Sequence, residues 1–314
     1  MALNNFKRIA VIGAGVMGHS IAQVFAQHGY ALTLCDVNPD RIERALRLIE
    51  STLDTLVEFE RLSREEIPGI LSRIQMTTHL AESVREADLV IEAVPEIEEI
   101  KKGLFCELNR LCSKETVFAS NTSGLNIFEV AAGVDCQERM VITHWFSPPH
   151  IMPLVEVVPG ERTSPEVLSR TVALLKSAGK VPIVLKKFVP AFIVNRFQNA
   201  LNRTAFEMID NGWASPEDID LAIKHTLGIK LPIVGILQAL DFTGLDLIHQ
   251  IMEGLGVKSD FIEGKVKKGE FGAKTSKGIY DYPDRNELEI LKKRDRSYFR
   301  MLDHLKKIHA FEAV

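Results

Sequence analysis

His144, in ITHWFSPPH, closes one apolar run, and twelve residues later Glu156 interrupts another, PLVEVVPG. An imidazole titrates near neutral pH and suits proton transfer at a hydroxyl. A carboxylate behind it would fix the ring's tautomer and stabilise the imidazolium as it forms. A carboxylate inside an apolar strand also demands a partner, which strengthens the case for both residues. Ser123, in SNTSGL, and Asn195, in PAFIVNR, offer a hydroxyl and an amide that can hold a reacting oxygen and polarise a developing carbonyl. Each has a plainer reading. A histidine at a strand end is often a satisfied structural residue, Ser123 can be a turn residue or helix cap, and Asn195 can be an interhelical hydrogen bond.

The segment before them, FKRIAVIGAGVMGHSIAQVFAQHGYALTLCD, supplies what these groups would work with. Ile9 to Ile12 is apolar and β-branched, as in a parallel strand buried on both faces. Gly13, Gly15 and Gly18 follow in G-x-G-x-x-G spacing with Val16 and Met17 between them, and Ile21, Ala22, Val24 and Phe25 then keep helical phase. In such a turn the first glycine allows the tight bend, the second lets a pyrophosphate approach, and the third lets helix and strand pack closely. The helix N-terminus behind them offers free N–H groups to the phosphates. Asp36 ends the next strand, Ala31 to Cys35, eighteen residues after Gly18. A carboxylate there can accept hydrogen bonds from an adenosine ribose and would repel a 2′-phosphate. No arginine follows it directly, so the cofactor expected is NAD rather than NADP.

Further strands are predicted at Asp88 to Val94, Thr116 to Ala119, Met140 to Thr143, Leu154 to Val158 and Ile183 to Leu185. Asp88 to Val94 carries Glu92 inside it. Helices are expected over Leu104 to Leu111 and Pro165 to Ala178. A long helix from Pro39 to about Phe59, with Asn38 as its N-cap, and a second opening at a Ser63 to Glu66 capping box would form a hairpin leaning out from the sheet. Strand ends of a doubly wound sheet are where ligands bind, so Ser123 and His144 stand in the expected place. Beyond Phe188 to Pro190 the periodicity is almost wholly helical, with Ala191 to Met208, a helix opened by Ser215-Pro216, and segments within Leu237 to Leu255. The fold class is therefore α/β, a Rossmann-like doubly wound parallel sheet with an inserted helical hairpin, followed by an all-α domain. The domains expected are residues 1–188 and 189–314.

A chain of 314 residues with a net charge of −4 has no basic excess to attract nucleic acid or an anionic membrane. Its apolar runs are strand-sized, short of a membrane span, and no signal peptide is expected ahead of the first strand. Cys35, Cys106, Cys112 and Cys136 show no metal-site spacing, so reduced cytoplasmic thiols and no bound metal are expected.

The chain resembles the 3-hydroxyacyl-CoA dehydrogenase family over nearly its whole length. The motifs are GAGVMG, ADLVIEAVPE, FASNTSGL, HWFSPPHIMPLVEVVPG, FVPAFIVNR, SPEDIDLAI and FGAKTSKGIYDY. The resemblance implies that His144 is the acid/base and Glu156 its paired carboxylate. It implies that Ser123 and Asn195 contact the substrate oxygen, and that Glu96 and Lys101 lie near the nicotinamide and its ribose. It also implies a homodimer through the C-terminal helices. Two departures bear on the substrate. Family members using coenzyme A carry lysines on the hairpin. Here no lysine occurs between Lys7 and Lys101, and Arg47, Arg61 and Arg64 sit among Glu50, Asp54, Glu58, Glu60, Glu65 and Glu66. Where the family has P-x-G-P-F-E-L, this chain reads Leu231-Pro232-Ile233-Val234-Gly235-Ile236-Leu237. Both features are similar to branches that oxidise free hydroxy acids or hydroxyl-bearing ring carboxylates. The reaction expected is oxidation of a (S)-3-hydroxyacyl-CoA, with a free hydroxy acid as the alternative. A non-catalytic NADH-binding structural protein is the rival of another class.

Overall fold

The structure, a computed structural model, describes residues 6–312. The chain divides into two compact units, one ending at Ala200 and the other starting at Leu201. In the first, β1 (Arg8–Ile12), α1 (Gly18–Gln27), β2 (Ala31–Cys35), α2 (Pro39–Glu58), α3 (Ile67–Leu71) and β3 (Ile74–Thr77) form one half of a sheet. Then come α4 (Leu80–Val84), β4 (Leu89–Glu92), α5 (Glu98–Leu111), β5 (Val117–Ser120), α6 (Ile127–Val130) and β6 (Met140–Trp145). β7 (Leu154–Pro159), α7 (Pro165–Ser177) and β8 (Val181–Val184) complete it, and α8 (Val194–Asp210) begins here and runs across the division. The strand order is β3-β2-β1-β4-β5-β6-β7-β8. All neighbours are parallel except β6 and β7. The order reverses beside β1, which opens a crevice at the carboxyl ends of β1 and β4.

Burial of both faces explains why β1 is apolar from Ile9 to Ile12. Ile9 and Val11 join a cluster with Ile21 and Phe25 of α1 and Leu174 and Leu175 of α7. Ala10 and Ile12 join the opposite cluster, with Phe105 and Leu108 of α5. Burying each such large side chain contributes about 1.5–3 kcal/mol, so a register slip that exposed either face would be strongly resisted.

The differences from expectation are local. β3, an edge strand, gave no clear signal, because Ile74-Gln75-Met76-Thr77 is short and only Ile74 is buried. β4 stops at Glu92, whose own carboxylate takes the Val94 N–H at 2.9 Å. α5 starts at Glu98, six residues before the apolar pattern becomes visible. Asn38 caps α2 as expected, accepting the Asp40 N–H at 2.8 Å. The second arm of the hairpin is only a 3₁₀ turn over Arg64–Glu66 and the five-residue α3. Glu66 does accept the Ser63 N–H (2.9 Å), but Pro68 and Gly69 suit no longer helix. α8 begins three residues later than expected, because Ala191 and Phe192 are left-handed (φ 62° and 50°).

The second unit is helical: the rest of α8, then α9 (Pro216–His225), α10 (Leu227–Thr243), α11 (Leu245–Gly254), α12 (Asp260–Lys267) and α13 (Glu287–Lys307). Ser215 caps α9, its hydroxyl accepting the Asp218 N–H at 3.1 Å. α10 is interrupted at Gly235 (φ 67°). Asp241, wholly buried, ties down the late loop by accepting from the Ile279 and Tyr280 N–H groups and the Tyr282 hydroxyl. Among the described residues no single helix is long and apolar enough to cross a membrane. α9 and α10 reach that length and composition only when joined across a 60° bend.

Candidate active site

His144 is the penultimate residue of β6 and Glu156 the third of β7, and the antiparallel ladder makes them direct partners. His144 Nδ1 lies 2.8 Å from Glu156 Oε2, with the His144 side chain 6% exposed and that of Glu156 not at all. A carboxylate only accepts, so Nδ1 donates and the neutral ring keeps its lone pair on Nε2. The other oxygen, Oε1, accepts the Ile193 and Val194 N–H groups at 2.9 and 3.0 Å. These are unpaired donors at the start of α8, where a negative charge is also favoured by the helix dipole. Burial pushes the Glu156 carboxyl up, but the bonds from His144, Val194 and Ile193 together outweigh it and hold it below its ordinary value. The left-handed pair Ala191–Phe192 aims those two N–H groups. Phe192 and Phe146 flank the imidazole, with ring centres 5.2 and 4.5 Å away.

Ser123 follows β5 on an exposed loop and Asn195 is the second residue of α8. The Asn195 amide nitrogen is 3.5 Å from the Ser123 carbonyl oxygen, so the two meet. Among the described residues the Ser123 hydroxyl makes no hydrogen bond. Asn121, in the same SNTS stretch, was not singled out by the sequence. Its Oδ1 accepts the Trp145 N–H at 3.0 Å and pins the end of β6.

Glu96 and Lys101 belong to a second polar cluster. Lys101 is fully buried, with its ammonium held by Glu92 and, at 3.1 Å, by Glu96. Glu92 also accepts from the Ser120 hydroxyl and the Val94 N–H. Glu96, the partly exposed member, accepts the Ser123 N–H at 2.8 Å and the Thr122 hydroxyl. Lys101 therefore presents nothing to solvent and instead fixes Glu96 beside Ser123.

The glycine turn has the shape its spacing implies. Gly13 has φ 103°, and a Cβ there would lie 2.5 Å from the Ala93 oxygen. A Cβ on Gly18 would lie 1.7 Å from the Gly13 oxygen. A Cβ on Gly15 would meet nothing within 4 Å, which is the open backbone face a diphosphate needs. Val16, exposed, and Met17, half-buried, complete the turn. Asp36 accepts the Ala14 N–H at 2.9 Å and the Asn38 N–H at 3.0 Å, leaving lone pairs for a ribose. Arg41 reaches its Oδ2 at 3.8 Å from the first turn of α2, a contact that the bare order of residues did not suggest. These residues fit a dinucleotide. Among the described residues no group of three or more His, Cys, Asp or Glu side chains is arranged to hold a metal ion.

Sheet, turn and paired side chains together define a dinucleotide-dependent oxidoreductase, and residues 8–188 match the 3-hydroxyacyl-CoA dehydrogenase NAD binding domain while residues 192–282 match that family's C-terminal domain. The chain belongs to the 3-hydroxyacyl-CoA dehydrogenase family, NAD-dependent enzymes acting on CH–OH groups. It is 34% identical over 284 residues to 5-formyl-3-hydroxy-2-methylpyridine 4-carboxylate 5-dehydrogenase of Mesorhizobium japonicum, covering 88% of this chain and 91% of that one. It is 36% identical over 287 residues to a probable 3-hydroxybutyryl-CoA dehydrogenase of Bacillus subtilis, covering 89% and 98%. Among solved structures, a 3-hydroxyacyl-CoA dehydrogenase of Archaeoglobus fulgidus superposes with a TM-score of 0.80 at 32% identity, covering 96% of this chain and 99% of that one. The structure of the pyridine carboxylate 5-dehydrogenase, an NAD+-dependent dismutase, gives 0.73 at 31% identity, covering 96% and 98%.

Proposed function

We propose that this chain reversibly oxidises a secondary alcohol β to a thioester or carboxyl carbonyl, converting (S)-3-hydroxyacyl-CoA to 3-oxoacyl-CoA. NAD, when bound, supplies the hydride acceptor. His144 takes the hydroxyl proton on Nε2, and Glu156 holds the ring in that tautomer and stabilises the imidazolium. Ser123 and Asn195 hold the reacting oxygen. The Gly13, Gly15, Val16, Met17 and Gly18 turn takes the diphosphate, Asp36 the adenosine ribose and Glu96 the nicotinamide ribose, with Lys101 keeping Glu96 in place. The observation that carries this reading is the buried 2.8 Å contact of His144 with Glu156 at the mouth of the sheet. His144→Ala should cut turnover by three or more orders of magnitude while leaving NADH affinity within about threefold. Near-normal turnover would remove His144 from the mechanism. Tight NADH binding by the wild type, without turnover of any hydroxy acid, would favour a structural role instead.

A second reading, oxidation of a free hydroxy acid or ring carboxylate without coenzyme A, is favoured by the hairpin's charges. Arg64 is taken up by Asp54 at 3.0 Å and Arg47 by Glu43 at 3.6 Å. Arginines already paired with carboxylates are poor receptors for a polyanion. Steady-state oxidation of 3-hydroxybutyryl-CoA against free 3-hydroxybutyrate and larger hydroxy acids separates the two. A preference for the thioester by orders of magnitude would exclude the second reading.

The same proposal extends to a cytoplasmic homodimer. The four cysteines are free thiols, as a reducing compartment requires. The second unit leaves Phe206, Trp213, Leu221 and Phe261 more than half exposed, an apolar surface suited to a second copy. A monomeric mass by light scattering at micromolar concentration would rule out the dimer.

A further inference from the structure

At the first turn of α1, three polar residues outside the set above come together. Ser20 is buried, and its Oγ accepts the His150 backbone N–H at 3.2 Å and lies 2.9 Å from His150 Nδ1. Among the described residues this hydroxyl has no other hydrogen-bond partner, so its one hydrogen goes to Nδ1. The neutral His150 ring, half-buried, therefore carries its proton on Nε2 and has a donor to give there. His19, the preceding residue of α1, is fixed in the opposite sense. Its Nδ1 lies 2.7 Å from the Gly15 carbonyl oxygen, which can only accept, so its Nε2 holds a lone pair. Burial holds both imidazoles below their ordinary value. His19 and Lys180 push His150 the same way, as Arg44 does His19. At neutral pH the pair is thus one donor and one acceptor, without charge.

The residue that holds this ring is what gives the donor a use. Ser20 is two residues from the start of α1, about 3 Å along the helix axis. That start is where the open face of Gly15 and the free N–H groups would receive a diphosphate. His150 itself comes from the loop after β6, the strand that carries His144. We propose that His150 is a cofactor-binding residue whose Nε2–H donates to the nicotinamide-side phosphate of the dinucleotide, the one AMP lacks, with Ser20 setting its tautomer. The inference rests on dinucleotide binding at the Gly13 to Gly18 turn.

The test is equilibrium binding, read by titration calorimetry, of three ligands that divide the cofactor: NADH, ADP-ribose and AMP. His150→Ala should weaken NADH and ADP-ribose alike, about tenfold for a lost hydrogen bond to a charged group, and leave AMP within about twofold. His150→Gln keeps an N–H donor and should recover NADH affinity to within about threefold of wild type. Ser20→Ala keeps the ring but frees its tautomer, and should cost NADH about threefold. Unchanged NADH and ADP-ribose binding in His150→Ala overturns the assignment. So does an equal loss for AMP, which would mean general loosening of the turn. If His150→Ala does not fold, the Gln and Ser20 variants carry the test, and wild-type affinity in Ser20→Ala counts against it. A wild type that binds neither NADH nor ADP-ribose would instead overturn the dinucleotide role of the turn, and this inference with it.

Discussion

Two carboxylates, Glu92 at the end of β4 and Glu156 near the start of β7, are both wholly buried, yet they are held in different ways. Glu92 is enclosed by Lys101, the Ser120 hydroxyl and the Val94 N–H, and burial pushes its carboxyl up. Every partner is spent on holding the cluster together. Glu156 has one oxygen on two backbone N–H groups and the other on a single imidazole, whose remaining nitrogen is left for other work. Burial alone does not separate a carboxylate whose partners are all spent from one whose partner keeps a nitrogen free. The number of partners and the valence left over do.

The contrast predicts opposite outcomes for matched substitutions. Glu156→Gln should lower kcat by about 10³–10⁴, as losing the anion behind a catalytic histidine does, with NADH affinity nearly unchanged in stopped-flow titration. Lys101→Met should leave Glu92 buried without its cation and cost about 3–5 kcal/mol in urea unfolding. Its turnover per folded molecule should fall far less than that of Glu156→Gln. If both variants lose rate and stability in the same proportion, the two clusters are not distinct in kind.

A smaller effect is expected where α8 meets Glu156. Ala191 has φ 62°, a region glycine enters freely and β-branched residues resist. Ala191→Gly should stay within about 1 kcal/mol of wild type, whereas Ala191→Val should lose about 2 kcal/mol and reduce kcat as the N–H groups turn from Oε1. Thermal melts and steady-state rates on the pair of variants check this. Equal rates in both would detach the turn from the His144–Glu156 pair.

The smallest effect is on acid stability. Glu156 titrates below its ordinary value of 4.5 in the folded chain. Its contribution is therefore fully present above that value and is lost as pH falls through the lower, folded one. Glu156→Gln, which cannot ionise, should flatten that part of the stability profile. An unaltered acid limb would mean that the carboxylate is not held as described.

Much of the fold was legible in the chain because burial writes itself as period. The run Ile9 to Ile12, the glycine spacing and the helical phase after Gly18 each have one structural solution, and sterics at Gly13 and Gly18 enforce it. His144 and Glu156 could be singled out as polar residues closing or breaking apolar strands. β3 was missed because this edge strand has four residues of which only Ile74 is buried, so it shows no alternation. For Lys101 the family resemblance implied only a place near the nicotinamide and its ribose. Nothing in its neighbours along the chain shows that it is wholly buried between two carboxylates.

Residue order thus settles which groups are present and which local turns and strands they can form, because steric limits and hydrophobic period act over a few neighbours. It cannot settle which distant atoms share a hydrogen. The pairing of His144 with Glu156 follows from β7 running back against β6 in one register. The Ala191–Phe192 turn reaching Oε1, Arg41 reaching Asp36, and Ser20 meeting His150 across 130 residues also required the packed sheet. Such contacts tolerate changes of only a few tenths of an ångström in distance, and only packing between elements sets distances that closely.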